Sequence, residues 1–159
     1  MKTTHRIGAV GALLDEYDKA VAELICCIET ISDNDLITIV DANTANPDCR
    51  SIQTILSHVV SGVYSYSVYI DNLRGNNSVR PQRTFHTTVK EYVDDLNNGM
   101  LFTDHVFKNI KDAELEEFDN TKKIVAKWGQ LYDIEQLMEH AIVHILRHRR
   151  QIERFKIAL

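Results

Sequence analysis

Apolar residues along this chain recur every three to four positions, the period of a helix rather than of a strand. The first stripe is Ile7, Val10, Leu14, Tyr17, Val21, Leu24, Ile28 and Ile31, which predicts a helix over about residues 7–31. Ser32-Asp33-Asn34-Asp35 reads as its stop. The loop that follows contains Leu36-Ile37-Thr38-Ile39-Val40, open to an extended piece or a helical turn, and ends at Asn46-Pro47-Asp48-Cys49.

A second stripe, Ile52, Ile55, Val59, Val63, Tyr66, Ile70 and Leu73, starts after the N-cap residue Ser51 and stops before Arg74-Gly75-Asn76-Asn77. The third helix opens on a capping box, Thr88-Val89-Lys90-Glu91, whose end residues each satisfy the other's orphan amide. Its stripe is Val89, Tyr92, Val93, Leu96, Met100, Phe107 and Ile110, interrupted by Gly99. Residues 111–131 are polar and irregular, with Trp128-Gly129 as the expected packed point. The fourth helix starts near Asp133, a natural N-cap, and runs to about residue 155. Four amphipathic helices predict an all-α fold, a four-helix bundle with long inter-helix loops, in one domain over residues 1–159. Because only short loops force antiparallel neighbours, the topology stays open.

Composition narrows the class. A chain of 159 residues with 44% apolar and 26% charged residues is long enough to bury an ordinary core. No apolar run approaches transmembrane length, and the early acidic residues Asp15, Glu16 and Asp18 make a poor signal peptide. Three cysteines, two of them adjacent at Cys26 and Cys27, make no disulfide framework; the expected setting is a reducing, cytoplasmic one. The adjacent pair reads as small core hydrophobes rather than nucleophiles. A net charge of −5 argues against a nucleic-acid partner, and the hydropathy against a membrane one.

The candidate chemistry lies in the last helix, in Glu139-His140-Ala141-Ile142-Val143-His144-Ile145-Leu146-Arg147-His148-Arg149-Arg150-Gln151-Ile152. Ile134, Leu137, Ala141, Ile145, Ile152 and Phe155 mark its inward stripe. His148 falls inside that stripe and His144 at its edge. Residues four apart lie one turn apart on one face, so the two imidazoles can converge on one ion. Neutral imidazoles buried among Ile and Leu are costly unless each nitrogen finds a partner. That partner is a shared metal, or else backbone carbonyls and acidic residues. A third ligand is available in His58 on the second helix. Three histidines leave open positions, as in a catalytic rather than a closed structural site. Imidazole donors suit Zn, Ni, Cu or Fe. His140 lies further round, as a rim residue or a partner to a ligand; Gln151 could hydrogen-bond a ligand or be solvated at the boundary; His5, His86 and His105 read as surface residues.

The run Ser51-Ile52-Gln53-Thr54-Ile55-Leu56-Ser57-His58 and the final-helix pattern from His144 through His148 and Gln151 to Ile152 resemble the DinB-like family of metalloenzymes. Trp128-Gly129, shortly before the last helix, resembles that family's entry into it. The resemblance spans the chain in helix order and length. It implies a four-helix bundle, often a homodimer, with His58, His144 and His148 around a divalent transition metal, Zn or Ni first and Fe or Mn after them. It also implies a small-molecule substrate, including a low-molecular-weight thiol, since characterised relatives include thiol-dependent transferases and isomerases. Arg149-Arg150 departs from the Arg-Gly usual in relatives after the last ligand.

The functional expectation is therefore a metal-dependent enzyme, a thiol-dependent S-transferase or hydrolase. The alternative is a non-catalytic stress-response or binding module whose metal site is structural, regulatory or vestigial. No general acid or base stands out: Glu139 reads as solvated and Asp133 as a cap. The cations Arg147, Arg149, Arg150, Arg154 and Lys156 fit a helix C-terminus; Arg147 and Arg150 could also steer an anionic thiol. Val60, Tyr64 and Val68 give the second helix another apolar face, for loops or a dimer partner to cover. Tyr17, Tyr66, Tyr92 and Phe107 are the candidate pocket lining.

Overall fold

In a computed structural model, which describes residues 5–159, the chain is mostly helical. The long helices are α1 (Gly8–Ile28), α3 (Ile52–Leu73), α4 (Val89–Phe107) and α5 (Ile134–Ala158), with a short α2 (Asp33–Ile37) between the first two. A minimal antiparallel hairpin, β1 (Ile124–Val125) and β2 (Leu131–Tyr132), pairs Ile124 with Tyr132 and Val125 with Leu131 just ahead of α5.

The caps read from the sequence fix three of the four long starts. Ser51 Oγ accepts the Thr54 amide, and Thr88 and Asp133 form reciprocal boxes with Glu91 and Gln136. Helix α1 starts differently. Ile7 is 97% exposed and outside the helix, and no local side chain caps it. Instead Asp112, a hundred residues away, accepts the Val10 amide at 2.9 Å, and this amide together with that of Ala9 holds its carboxyl below the usual range. Gly8 has φ +83°, and a Cβ there would run into that carboxylate.

Three boundaries differ from the periodicity. Helix α1 ends at Ile28, and Ile31 is buried beyond it. Ser32 is not a stop but the N-cap of α2, its Oγ accepting the Asp35 amide at 3.1 Å. Leu36 and Ile37 are therefore helical, and Leu36 is fully buried. Helix α4 ends at Phe107, leaving Ile110 buried in the following turn.

Helix α1 packs against α5 and α4, and α3 packs against the same two, so the apolar stripes of all four face one interior. Leu24, Ile28, Ile55, Val59, Ile70, Leu96, Leu137, Ala141, Ile145 and Ile152 are fully buried there. Each large one of these contributes about 1.5–3 kcal/mol by leaving water, which is what holds the helices together. Gly99 lets α4 approach α3 closely: a Cβ would lie 2.8 Å from Val63 Cγ1. Beside it Ser67 and Thr103 share a buried hydrogen bond of 2.7 Å.

Residues 111–131 send Leu115, Ile124 and Ala126 into the core. Trp128, the expected packed point, is instead 47% exposed and is held by ring contacts. Gly129, with φ +89°, makes the hairpin turn that carries it. Cys26 is exposed and Cys27 half-buried, so the pair is not core as expected; burial pushes the Cys27 thiol up. Among the described residues no helix is long and apolar enough to cross a membrane.

Candidate metal centre

Facing stripes of α3 and α5 bring His58, His144 and His148 together, with one ligand atom from each lying within 4.8 Å of the others. Ring centroids are 4.9 Å apart for His58–His144, 5.0 Å for His58–His148 and 4.6 Å for His144–His148. The Nε2 atoms of His58 and His144 face each other at 2.9 Å. Gly62, one turn along α3 from His58, gives the His144 ring its place, since a Cβ there would sit 3.0 Å from Cε1.

Two neighbours set which nitrogen of each ring faces inward. Asp48 Oδ2 lies 3.3 Å from His58 Nδ1, and Gln151 Oε1 lies 3.1 Å from His148 Nδ1. Both are acceptors, so each Nδ1 carries the proton and each Nε2 keeps its lone pair. Asp48 is itself held by Arg83, whose Nη1 is 2.7 Å from Oδ1 and whose Nε and Nη2 reach Ser57 Oγ and the Thr54 carbonyl. Cys49 Sγ contacts Gln151 Oε1 at 3.8 Å.

Burial keeps all three rings neutral. It pushes His144 down to about 2 and His148 down to about 4, and it lowers His58 despite the opposing Asp48 carboxylate. Neutral imidazoles are the ligand form. In His144, Nδ1 is buried with no partner. A proton on its Nε2 would be donated to His58 but leave the Nδ1 lone pair unmet. A proton on Nδ1 would instead turn two Nε2 lone pairs on each other. A cation between lone pairs removes that repulsion, and Zn–N bonds of about 2.0–2.1 Å need N···N separations of only ~3.4 Å. The donor set fits a divalent transition metal.

The remaining residues fall into place around this centre. His140 is a rim residue, its Nδ1 3.1 Å from the Tyr132 hydroxyl and its ring stacked on Trp128 at 5.3 Å. His5 and His105 are exposed. His86 is not a plain surface residue: it is half-buried, with Nε2 2.6 Å from Asp95 and its ring edge-on to Tyr92. Asp133 is the α5 cap, and Glu139 borders a shallow hollow away from the three histidines.

A cleft of about 420 Å³ opens on one side of His58 and His144, walled by Tyr66, Val68, Tyr69 and Trp128. Of the four aromatic candidates only Tyr66 lines it; Tyr17 and Phe107 are core, and Tyr92 borders a separate hollow under residues 81–86. A second hollow of about 360 Å³ reaches the same two histidines and His148 from the other side, past Arg147 and Arg154. Arg150 does not line it. Arg149 pairs with Glu23, and Lys156 donates to the Cys27 carbonyl at 2.7 Å, covering the end of α1.

Asp48 and Arg83 went unread in the sequence because both lie in loops without periodicity. The one available signal was Asn46-Pro47-Asp48, a short turn whose Asn46 side chain accepts the Asp48 amide at 3.0 Å. No protein-family model and no curated protein sequence matches the chain.

Proposed function

We propose that the chain is a metal-dependent enzyme of the DinB-like kind, a four-helix bundle acting as a thiol-dependent S-transferase or hydrolase on a small molecule. The observation that carries the reading is the convergence of three neutral imidazoles, two with their tautomers set by Asp48 and Gln151, with His58 and His144 lining a 420 Å³ aromatic cleft. A structural zinc site would be closed by a fourth protein ligand; no Cys, Asp or Glu among the described residues joins the three histidines. A divalent cation there, Zn or Ni before Fe or Mn, lowers the pKa of a coordinated water or thiol and so supplies a nucleophile near neutral pH. His58, His144 and His148 hold it, Asp48 and Gln151 orient two of them, and Tyr66, Tyr69 and Trp128 exclude water from the bound substrate. The homodimer and the cytoplasmic setting belong to the same reading.

One observation favours the alternative, a non-catalytic module. Among the described residues Asp48 is the only carboxylate placed against the three histidines, and Arg83 and His58 occupy it, so none of these stands free as general base.

The test is metal content by mass spectrometry of protein made without a histidine tag, beside the His144→Ala/His148→Ala variant. About one ion per chain, lost in a variant that keeps its helical circular dichroism, supports the site. A chain that holds no metal and takes up neither Zn nor Ni rejects it. Light scattering on the same sample reads the dimer.

A further inference from the structure

The histidine cluster is reached from two sides. One side, which reaches His58 and His144, is the cleft of Tyr66, Tyr69 and Trp128, where Lys127 and Arg80 also stand and Arg80 donates to Ser61. The other is a hollow lined by Asn46, Cys49, Gln151, Arg147 and Arg154, with no carboxylate in its wall. In a chain of net charge −5, a wall containing only basic and neutral groups runs against the average surface. Asp48 lies nearby but is turned to Arg83 and His58.

Four of the nine arginines are paired with acidic residues. Arg6, Arg74, Arg83 and Arg149 each meet a carboxylate. Among the described residues Arg50, Arg80, Arg147, Arg150 and Arg154 meet none, and of these Arg147 and Arg154 are the two that line the hollow, both exposed to it. They share one face of α5 with His144, His148 and Gln151, at spacings of three, four, seven and ten residues from His144. The helix dipole does not account for Arg147: α5 ends at Ala158, about three turns further on, and the dipole acts within the last turn.

We infer that this hollow is an oxyanion subsite, which binds the carboxylate or phosphate end of a small molecule through Arg147 and Arg154 and delivers its other end to the three-histidine centre. A guanidinium fork matches either oxyanion in two-point fashion. The hollow, at about 360 Å³, holds a small molecule rather than a polymer. Gln151 stands between the two arginines along the helix, so a ligand held by both passes over His148. The delivery half rests on the metal reading; the binding half does not.

The experiment separates the two. Succinate and inorganic phosphate are titrated separately into metal-free protein while the arginine Nε–H resonances are followed by NMR. Saturable millimolar shifts of Arg147 and Arg154, abolished in Arg147→Gln/Arg154→Gln, are the expected result, and the tighter anion identifies the oxyanion class. No saturable shift with either anion, or shifts that persist in the double variant, overturn the subsite. In a second arm, cobalt-substituted protein is titrated with mercaptosuccinate and with 2-mercaptoethanol, and the sulfur-to-cobalt absorption is read. One charge-assisted contact makes the acidic thiol half-saturate at about tenfold lower concentration, a margin that the double variant erases. Equal half-saturation overturns the delivery half. Absence of the band with both thiols rejects the thiol reading, and the NMR arm still decides the subsite.

Discussion

Asp48 and His58 stand 3.3 Å apart, carboxylate to Nδ1, on the side of the imidazole that faces away from His144. The contact ties Asp48, before α3, to a histidine of the three-membered cluster. Arg83 bonds the other carboxylate oxygen at 2.7 Å, so the orientation of His58 depends on residues from two loops and α3. Partners of this kind set a ligand's tautomer and basicity, and their loss weakens metal affinity about 10–100-fold. Asp48→Ala is expected to weaken zinc binding by that factor, measured by chelator competition, with helical circular dichroism unchanged. Undiminished affinity would make Asp48 a loop anchor only.

Acid should destabilise the metal-free protein through the histidines. Burial depresses His148 to about 4 and His144 to about 2, against about 6.5 in the unfolded chain. The unfolded state therefore binds more protons below pH ~6.5, and folding stability falls as pH drops from there towards 4. Most carboxylates titrate lower, so the upper part of this window belongs to the histidines. The urea midpoint of metal-free protein is expected to fall between pH 7 and 5, and to fall less in His144→Gln/His148→Gln. An equal slope in both would assign the acid sensitivity elsewhere.

Gly99→Ala tests the close approach of α4 to α3. Helix propensity alone would favour alanine by up to about 1 kcal/mol. Its Cβ would however stand 2.8 Å from Val63 Cγ1 in a packed interior, and overpacking of this kind costs about 1–3 kcal/mol. Net destabilisation in urea unfolding is expected, relieved when Val63→Ala is added. A more stable single variant would show that the interface yields easily.

Trp128 is the chain's single tryptophan, and it lines the cleft. Its fluorescence should report what enters there. Copper(II) bound by the three histidines is expected to quench it, and quenching at equimolar metal should vanish in His58→Ala/His144→Ala. Quenching that survives would place the copper elsewhere.

The sequence by itself determined the four long helices, because an apolar stripe with a period near 3.6 has no other way to leave water. It also determined three of their starts, since Ser51, Thr88 and Asp133 carry the oxygens that orphan amides need. The histidine triad was legible for the same reason: His144 and His148 lie one turn apart on a stripe that must face inward, and His58 edges another. Tertiary structure decided everything that depends on chain segments meeting across long loops. Only folding carries Asp112 to the start of α1, Asp48 to His58, Asp95 to His86, and Arg147 and Arg154 to the rim of the histidine centre. Local periodicity encodes which face a residue takes, because backbone geometry repeats along a helix. It does not encode which distant loop arrives at that face, because that follows from how four helices share one core.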